Sequence, residues 1–218
     1  MKLMIVDDHQ VVRQGIANLL RSMLPAVAIT EVDNGEDAVA CYGGLRPNVV
    51  LLDMGLPDIS GLEVGRRLRQ RWRGAAILFF TMHDELPMVR QALDIGGLGF
   101  VSKSCAPEEL AEAVKRVAAG QPYIEHPIAT RLAMNQERPV DHRLRDMTQR
   151  EMEVLLMYAR GESVSGIAGR LCVSNKTVSN HLAGLKSKLQ VSSSVELIHL
   201  AVDAGLVRYG QLEEARRV

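Results

Sequence analysis

The chain has three cysteines, no excess of charge of either sign and no long apolar run. Each lack closes off a class of protein. Cys41, Cys105 and Cys172 are odd in number, far apart and without a CxxC pair. That argues against a disulfide framework or a zinc site and fits a reducing cytosol, so they read as three small buried hydrophobes. Lys plus Arg and Asp plus Glu number 26 each, so partners must be read from local charge rather than from the total. No stretch approaches the roughly 20 apolar residues of a membrane span. The start turns acidic at Asp7, too early for a secretory signal. Internal repeats and low-complexity segments are also missing. What remains, 218 residues that are 47% hydrophobic and 24% charged, reads as soluble and globular and is long enough for two small domains.

What is present starts with three carboxylates. Asp53 follows Asn48 and the apolar, β-prone run 49–52, and Asp7 and Asp8 follow a second short run, Met4, Ile5 and Val6. If these runs are neighbouring parallel strands, the three carboxylates converge at one edge of a sheet. Like charges that close repel and raise each other's pKa unless a cation sits among them. The arrangement argues for a bound divalent metal and for chemistry at one carboxylate.

Across residues 1–120, strand-like and helix-like segments alternate. Strands are expected at 3–6, 28–32, 49–52, 77–81 and 99–102. The first helix carries Val12, Ile16, Leu19, Leu20 and Met23 at steps of three and four, one helix face. Later helices are expected at 36–41, 62–71, 86–95 and 107–119, with Pro107 in a first turn beside Glu108 and Glu109 and with Gly96 and Gly120 as left-handed stops. Five βα units imply a doubly wound parallel α/β sheet. In such sheets ligands bind beyond the carboxyl ends of the strands, where Asp7, Asp8, Asp53, Thr81 and Lys103 all fall.

From about residue 121 the pattern changes. A helix is expected at 124–134, a polar linker with Pro139 at 136–147, and helices only from Thr148 onward. The expected divisions are 1–120, 121–147, 148–208 and a tail, 209–218. Thr148 with Glu151, and Ser193 with Glu196, have the spacing of capping boxes, and Gly161 is a stop. A short helix at 164–171, weakened by Gly166 and Gly169, precedes a longer one ending at Leu189, and a further helix covers 195–204. In the longer helix Val178, Leu182, Leu185 and Leu189 form a buried stripe, while Lys176, Ser179, Asn180, Ala183 and Lys186 lie opposite. Between Ser163 and Val195 there is no acidic residue, while Arg170, Lys176, Lys186 and Lys188 are present. A short helix, a turn at 172–175 and a longer helix with a basic polar face describe a helix-turn-helix with a DNA footprint.

At these residues the chain resembles a known family. Asp7-Asp8-His9, Asp53 through Pro57, Gly61, Thr81 and Lys103, in that order at those strand ends, resemble the receiver domain of bacterial two-component response regulators. Thr148 to Leu155, Ile167 to Leu171 and Ser174 to Leu182 resemble the LuxR-type DNA-binding domain, so the whole is similar to the NarL-like subfamily. The resemblance implies a flavodoxin-like receiver of five parallel strands followed by a small all-α helix-turn-helix domain.

The resemblance further implies Asp53 as the phosphoacceptor, with Mg2+ ligated by Asp8, Asp53 and the Gly55 backbone carbonyl and by Asp7 through water. Lys103 and Thr81 would stabilise the phosphoryl group, and Phe100, three positions before the lysine, would switch with Thr81. Lys176, Thr177, Lys186 and Lys188 would meet DNA phosphates, and Ser179, Asn180 and Ala183 would face base edges, Asn180 pairing with adenine. The implied partners are a sensor histidine kinase, double-stranded DNA and a second copy of the chain on DNA, with no membrane. The implied location is the bacterial cytoplasm. The implied role is transcription regulation, not enzymatic turnover beyond assisting its own phosphorylation and dephosphorylation.

Some positions depart from the family pattern. Gly55 and His83 stand where access of water to the phosphoryl group is tuned. Ser104 replaces the proline that often follows the lysine, and Ala106 supplies no cap. Relatives often carry lysine at Ser179 and Ala183, so readout here can lean on DNA shape. Gln190 replaces a glycine and must take a left-handed conformation or close the helix differently.

Two other classes fit the residues less well. A haloacid-dehalogenase-type phosphatase needs a second carboxylate two residues after the nucleophile, where this chain has Gly55. A nucleotide or flavin domain needs a glycine-rich turn after the first strand, where this chain has Asp7-Asp8-His9-Gln10. A third alternative keeps DNA binding but makes the receiver independent of phosphorylation, working through ligand or protein contacts.

Overall fold

The computed structural model describes residues 1–82, 85–134, 142–144, 147–171, 173–204 and 206–207. His83, Cys172, most of the expected linker and the expected tail lie outside them. The chain divides into two compact units, Met1–Met134 and Asn135–Val218.

The first unit runs β1 (Lys2–Val6), α1 (Gln10–Met23), β2 (Ala28–Val32), α2 (Gly35–Leu45), β3 (Val49–Leu52), α3 (Gly61–Arg71), β4 (Ile77–Thr81), α4 (Leu86–Asp94), β5 (Gly99–Ser102), α5 (Pro107–Ala118), β6 (Tyr123–Ile124) and α6 (His126–Met134). The strands form one parallel sheet ordered β2-β1-β3-β4-β5-β6. The doubly wound reading holds, but the sheet has six strands rather than five. Residues 123–124 form the extra strand, so the following helix begins at His126 and not at Ile124. Two residues are too few for a periodic signal, and their pairing depends on the open edge of β5, which is remote in sequence.

All residues of β3 and β4 are buried, as both-face coverage of a parallel sheet requires. On one face Leu3, Ile5, Leu51, Leu78 and Val101 pack with Ile16 and Leu20 of α1 and Val114 of α5. Val12, expected on that stripe, is 37% exposed, so the buried part of the α1 face begins at Ile16. On the other face, a Cβ built on Gly65 of α3 would come 3.0 Å from Phe79, so the helix lies close against β4. Because β1 has β2 on one side and β3 on the other, the winding reverses between β1 and β3. A crevice opens there at the carboxyl ends of the strands.

Local signals fix the helix starts. Asn34 accepts from the Asp37 N–H at 2.8 Å and Ser60 from the Glu63 N–H at 3.2 Å, capping α2 and α3. The α2 N-terminus has a second cap from outside its own segment. The Asp58 carboxylate accepts from the Gly35 N–H at 2.9 Å and the Glu36 N–H at 2.7 Å. Gly96 and Gly120 adopt positive φ, as expected of left-handed stops. Cys41 and Cys105 are half-buried rather than fully buried. Burial raises the thiol pKa of both, to about 11 for Cys105, which keeps them protonated and inert at neutral pH.

Among the described residues the second unit holds a 3-10 turn (His142–Leu144) and four helices, α7 (Gln149–Ala159), α8 (Val164–Arg170), α9 (Asn175–Lys188) and α10 (Ser194–Asp203). Leu144 and Met147, within the segment expected to be a linker, are buried. Thr148 and Glu151 form the full capping box on α7. Ser193 caps α10 through the Glu196 N–H, but the Glu196 carboxylate reaches back to the backbone N–H and hydroxyl of Ser192 instead. Gly161 has φ +90, and Gln190 takes the left-handed conformation (φ 55), the first of the two routes open to it.

Candidate functional site

The crevice collects the acidic residues that the strand ends supply. One ligand atom from each of Asp7, Asp8, His9 and Asp53 lies within 4.8 Å of every other. Asp7 and Asp8 follow β1 and Asp53 follows β3. The strands are held in register by Val6 against Leu52, with the Asp53 N–H donating to the Val6 carbonyl at 2.9 Å. A second anchor is Gly61. A Cβ there would fall 2.0 Å from the Asp53 carbonyl oxygen, so only glycine lets the loop after β3 fold back against its own start.

Lys103, just past β5, places its ammonium 2.7 Å from Asp7 Oδ2 and 2.7 Å from Asp53 Oδ2. Only the contact with Asp53 is aligned as a hydrogen bond. Asp7 Oδ2 is therefore a buried carboxylate oxygen with no hydrogen-bond partner among the described residues. Burial pushes the Asp53 carboxyl pKa up and nearby Asp7 adds to this, while Lys103 and the Gly55 N–H oppose it without overcoming it. Burial lowers the Lys103 pKa, but the two carboxylates raise it more, so the net shift is upward and the side chain stays an ammonium. An ion pair normally lowers its acid partner. Here that lowering is outweighed by burial, with Asp7 adding to the rise, while the one ammonium is shared between two carboxylates. All the carboxylate donors are hard oxygens and they crowd one crevice with a single ammonium between two of them, so the cluster fits a divalent metal ion.

Thr81 ends β4, fully buried, and its carbonyl accepts from the Lys103 N–H at 2.8 Å. Phe100 is fully buried in β5. Gly55 meets the site through its backbone N–H on Asp53. His9, which the sequence marks only as the neighbour of the paired aspartates, places its Nδ1 2.7 Å from Asp8 and 3.4 Å from Asp7. Its adjacency to the paired aspartates was the available signal.

In the second unit, Val178, Leu182, Leu185 and Leu189 are all buried as the stripe predicts. Lys176, Ser179, Asn180 and Ala183 are exposed together, and Thr177 and Lys186 are half-buried beside them. Thr177 is engaged locally, with its hydroxyl 2.8 Å from Ser174 Oγ at the start of the helix. Lys188 turns away from this group and donates to Glu151 of the α7 capping box at 2.7 Å. Sequence reasoning missed Arg143, which donates to the Leu189 carbonyl at 3.1 Å and so closes the end of α9. Nothing in local sequence marks that long-range contact.

Two family models match this chain, the response regulator receiver domain over residues 3–115 and the luxR family of bacterial regulatory proteins over 145–201. The chain is 50% identical over 212 residues to the transcriptional activator protein ExaE of Pseudomonas putida, an alignment covering 95% of this chain and 99% of that one. It is 35% identical over 205 residues to the response regulator UvrY of Escherichia coli (strain K12), covering 93% and 94% respectively. Among solved structures, it is similar to a LuxR-family two-component response regulator from Aurantimonas sp. SI85-9A1. That likeness has a TM-score of 0.59 at 34% identity and covers 62% of this chain and 96% of the other. A parallel α/β receiver with an acidic crevice, joined to a helical output unit, defines a two-component response regulator, and this chain belongs to that family. Its output unit is of the LuxR type, which makes it a DNA-binding regulator of transcription.

Proposed function

We propose that Asp53 is the phosphoacceptor, that a sensor histidine kinase is the donor and that the acyl phosphate controls DNA binding by α9. The observation that carries this reading is the Lys103 ammonium lying 2.7 Å from both Asp7 and Asp53 in a crevice shared with Asp8. A carboxylate oxygen of Asp53 forms the new bond to phosphorus as the donor's bond breaks, so the step needs charge neutralisation more than a base. Magnesium, held by Asp8, Asp53, the Gly55 carbonyl and, through water, Asp7, would supply part of that neutralisation when bound. Lys103 then shifts from pairing two carboxylates to pairing the acyl phosphate. The Thr81 hydroxyl donates to a phosphoryl oxygen, and Phe100 follows it inward.

For the output unit, Lys176, Thr177 and Lys186 are the proposed phosphate contacts and Ser179, Asn180 and Ala183 face base edges. Lys188 joins the phosphate contacts only on leaving Glu151. A homodimer on double-stranded DNA doubles the basic footprint. No helix among the described residues is long and apolar enough to cross a membrane, and a cytoplasmic location follows from the DNA partner. The protein acts as a switch whose only chemistry is its own phosphorylation and hydrolysis.

Acetyl phosphate with magnesium should label the wild type and leave Asp53→Asn blank, and the same treatment should raise DNA affinity for the wild type alone in genome-wide binding. Equal labelling of Asp53→Asn overturns the site assignment. Equal DNA affinity with and without beryllofluoride favours the phosphorylation-independent alternative.

A further inference from the structure

The added strand β6 ends one residue before the chain turns into α6, and that residue, Glu125, bonds to β5 in two ways. Its backbone N–H donates to the Phe100 carbonyl at 3.1 Å, continuing the ladder begun by the Tyr123 N–H on the Leu98 carbonyl at 3.0 Å. Its carboxylate accepts from the Ser102 N–H at 2.7 Å. In a parallel ladder that N–H would meet the next backbone carbonyl of the neighbouring strand. The chain has left for α6 by then, and the side chain takes the carbonyl's place. A charged acceptor makes this bond stronger than the one it replaces.

Glu125 thereby brackets Phe100 to Ser102, and the next residue is Lys103. The turn beyond is tied to the same point. Ser102 Oγ lies 2.7 Å from Ser104 Oγ and accepts from the Ser104 N–H at 3.2 Å, and the Cys105 N–H donates to the Ser102 carbonyl at 3.0 Å. On its other side Lys103 is held by its N–H on the Thr81 carbonyl at 2.8 Å. The backbone that aims the ammonium is thus fixed between β4 and the carboxylate of Glu125, just past β6.

We infer that Glu125 is a positioning residue for Lys103: it sets where the ammonium sits and so controls the rate at which Asp53 gains and loses a phosphoryl group. It also ties that site to the start of α6, which continues the chain out of the receiver. This rests on the reading of Asp53 as phosphoacceptor.

The test uses the full-length chain and measures labelling by acetyl phosphate together with magnesium affinity by calorimetry. Glu125→Ala should slow labelling roughly tenfold, since small displacements of a positioning group carry penalties of that order or more. Its magnesium affinity should stay equal to wild type or rise, because a loosened Lys103 competes less for Asp53 and Asp7. Glu125→Gln, which keeps an acceptor oxygen at the same reach, should recover labelling to within about twofold, while Glu125→Asp, one methylene short, should not. A purely structural role would lower labelling and magnesium affinity together in every variant.

Labelling of Glu125→Ala at the wild-type rate, or failure of Glu125→Gln to recover, sinks the inference. If circular dichroism shows Glu125→Ala unfolded, the comparison of Glu125→Asp with Glu125→Gln decides by the same criteria. Equal labelling of wild type and Asp53→Asn would instead overturn the underlying phosphoacceptor reading, so the two failures are separable.

Discussion

The acidic crevice and the α9 face recognise charge in opposite ways. The crevice is built from remote segments, is desolvated and is locked before any ligand arrives, with one ammonium shared by two carboxylates. The α9 face is built from one helix, is solvated and presents its polar side chains side by side. Removing a group from the crevice leaves uncompensated buried charge, which is costly. Removing one from the face loses only a contact that forms on binding. Mutations in the first region should therefore alter both stability and chemistry, and mutations in the second binding alone.

The largest effect that tests this contrast is at Lys103. Lys103→Ala strands Asp7 and Asp53 beside each other and should lower stability by about 3 kcal/mol in metal-free buffer. Labelling by acetyl phosphate should fall roughly 100-fold. Thermal unfolding with and without magnesium checks this, since the cation should restore part of the loss. An unchanged melting temperature would mean that the crevice is no more locked than the face.

Next is Gly61→Ala, whose Cβ has no space beside the Asp53 carbonyl. It should cost about 2–3 kcal/mol through forced backbone movement and slow labelling as Asp53 shifts. Urea denaturation of wild type and variant gives the first number.

On the exposed face, Asn180→Ala should weaken specific DNA binding by about 1–3 kcal/mol and leave stability unchanged. Lys176→Ala should weaken binding evenly across sequences and reduce the salt slope by about one. Lys188→Ala should reduce that slope less, because its ammonium already serves Glu151. Titrations at several salt concentrations rank the three.

The smallest expected effect is at Asp58. Burial raises its carboxyl pKa, but backbone N–H groups of Gly35, Glu36, Ile59 and Asp58 itself lower it further, for a net fall. A carboxyl lowered on folding stabilises above its ordinary value of about 3.9, and that stability is lost as pH falls through the folded value. Asp58→Asn should therefore flatten the acid limb of a stability–pH curve and change neutral stability by under about 1 kcal/mol. An acid limb identical to wild type would show that the cap across to α2 carries no weight.

How much was legible differs between the regions. Asp7, Asp8, Asp53, Thr81 and Lys103 could be placed because each directly follows or ends a strand with a strong local signal, and a parallel sheet must bring those ends to one edge. The stripe of α9 was legible because helical period alone assigns inside and outside. The end of α2 was not, since Gly43 and Gly44 weaken a helix locally. The helix nevertheless runs to Leu45, with the Tyr42 ring packed at a tilt against Trp72, centroids 4.6 Å apart, and Gly43 close to the same ring. That partner lies on another element, as do those of Arg143, Lys188 and Glu125.

By itself the sequence determined the alternation of elements, the strand ends that carry the acidic and cationic groups, and the polar face of the longer output helix, because hydrophobic period and caps act over a few residues. Only the tertiary structure decided that β5 gains a sixth strand as neighbour, that one lysine serves two carboxylates, that Glu125 holds the strand before it and that Lys188 is occupied. Those outcomes depend on which side chains reach one another across segments many residues apart, and no local preference encodes that distance.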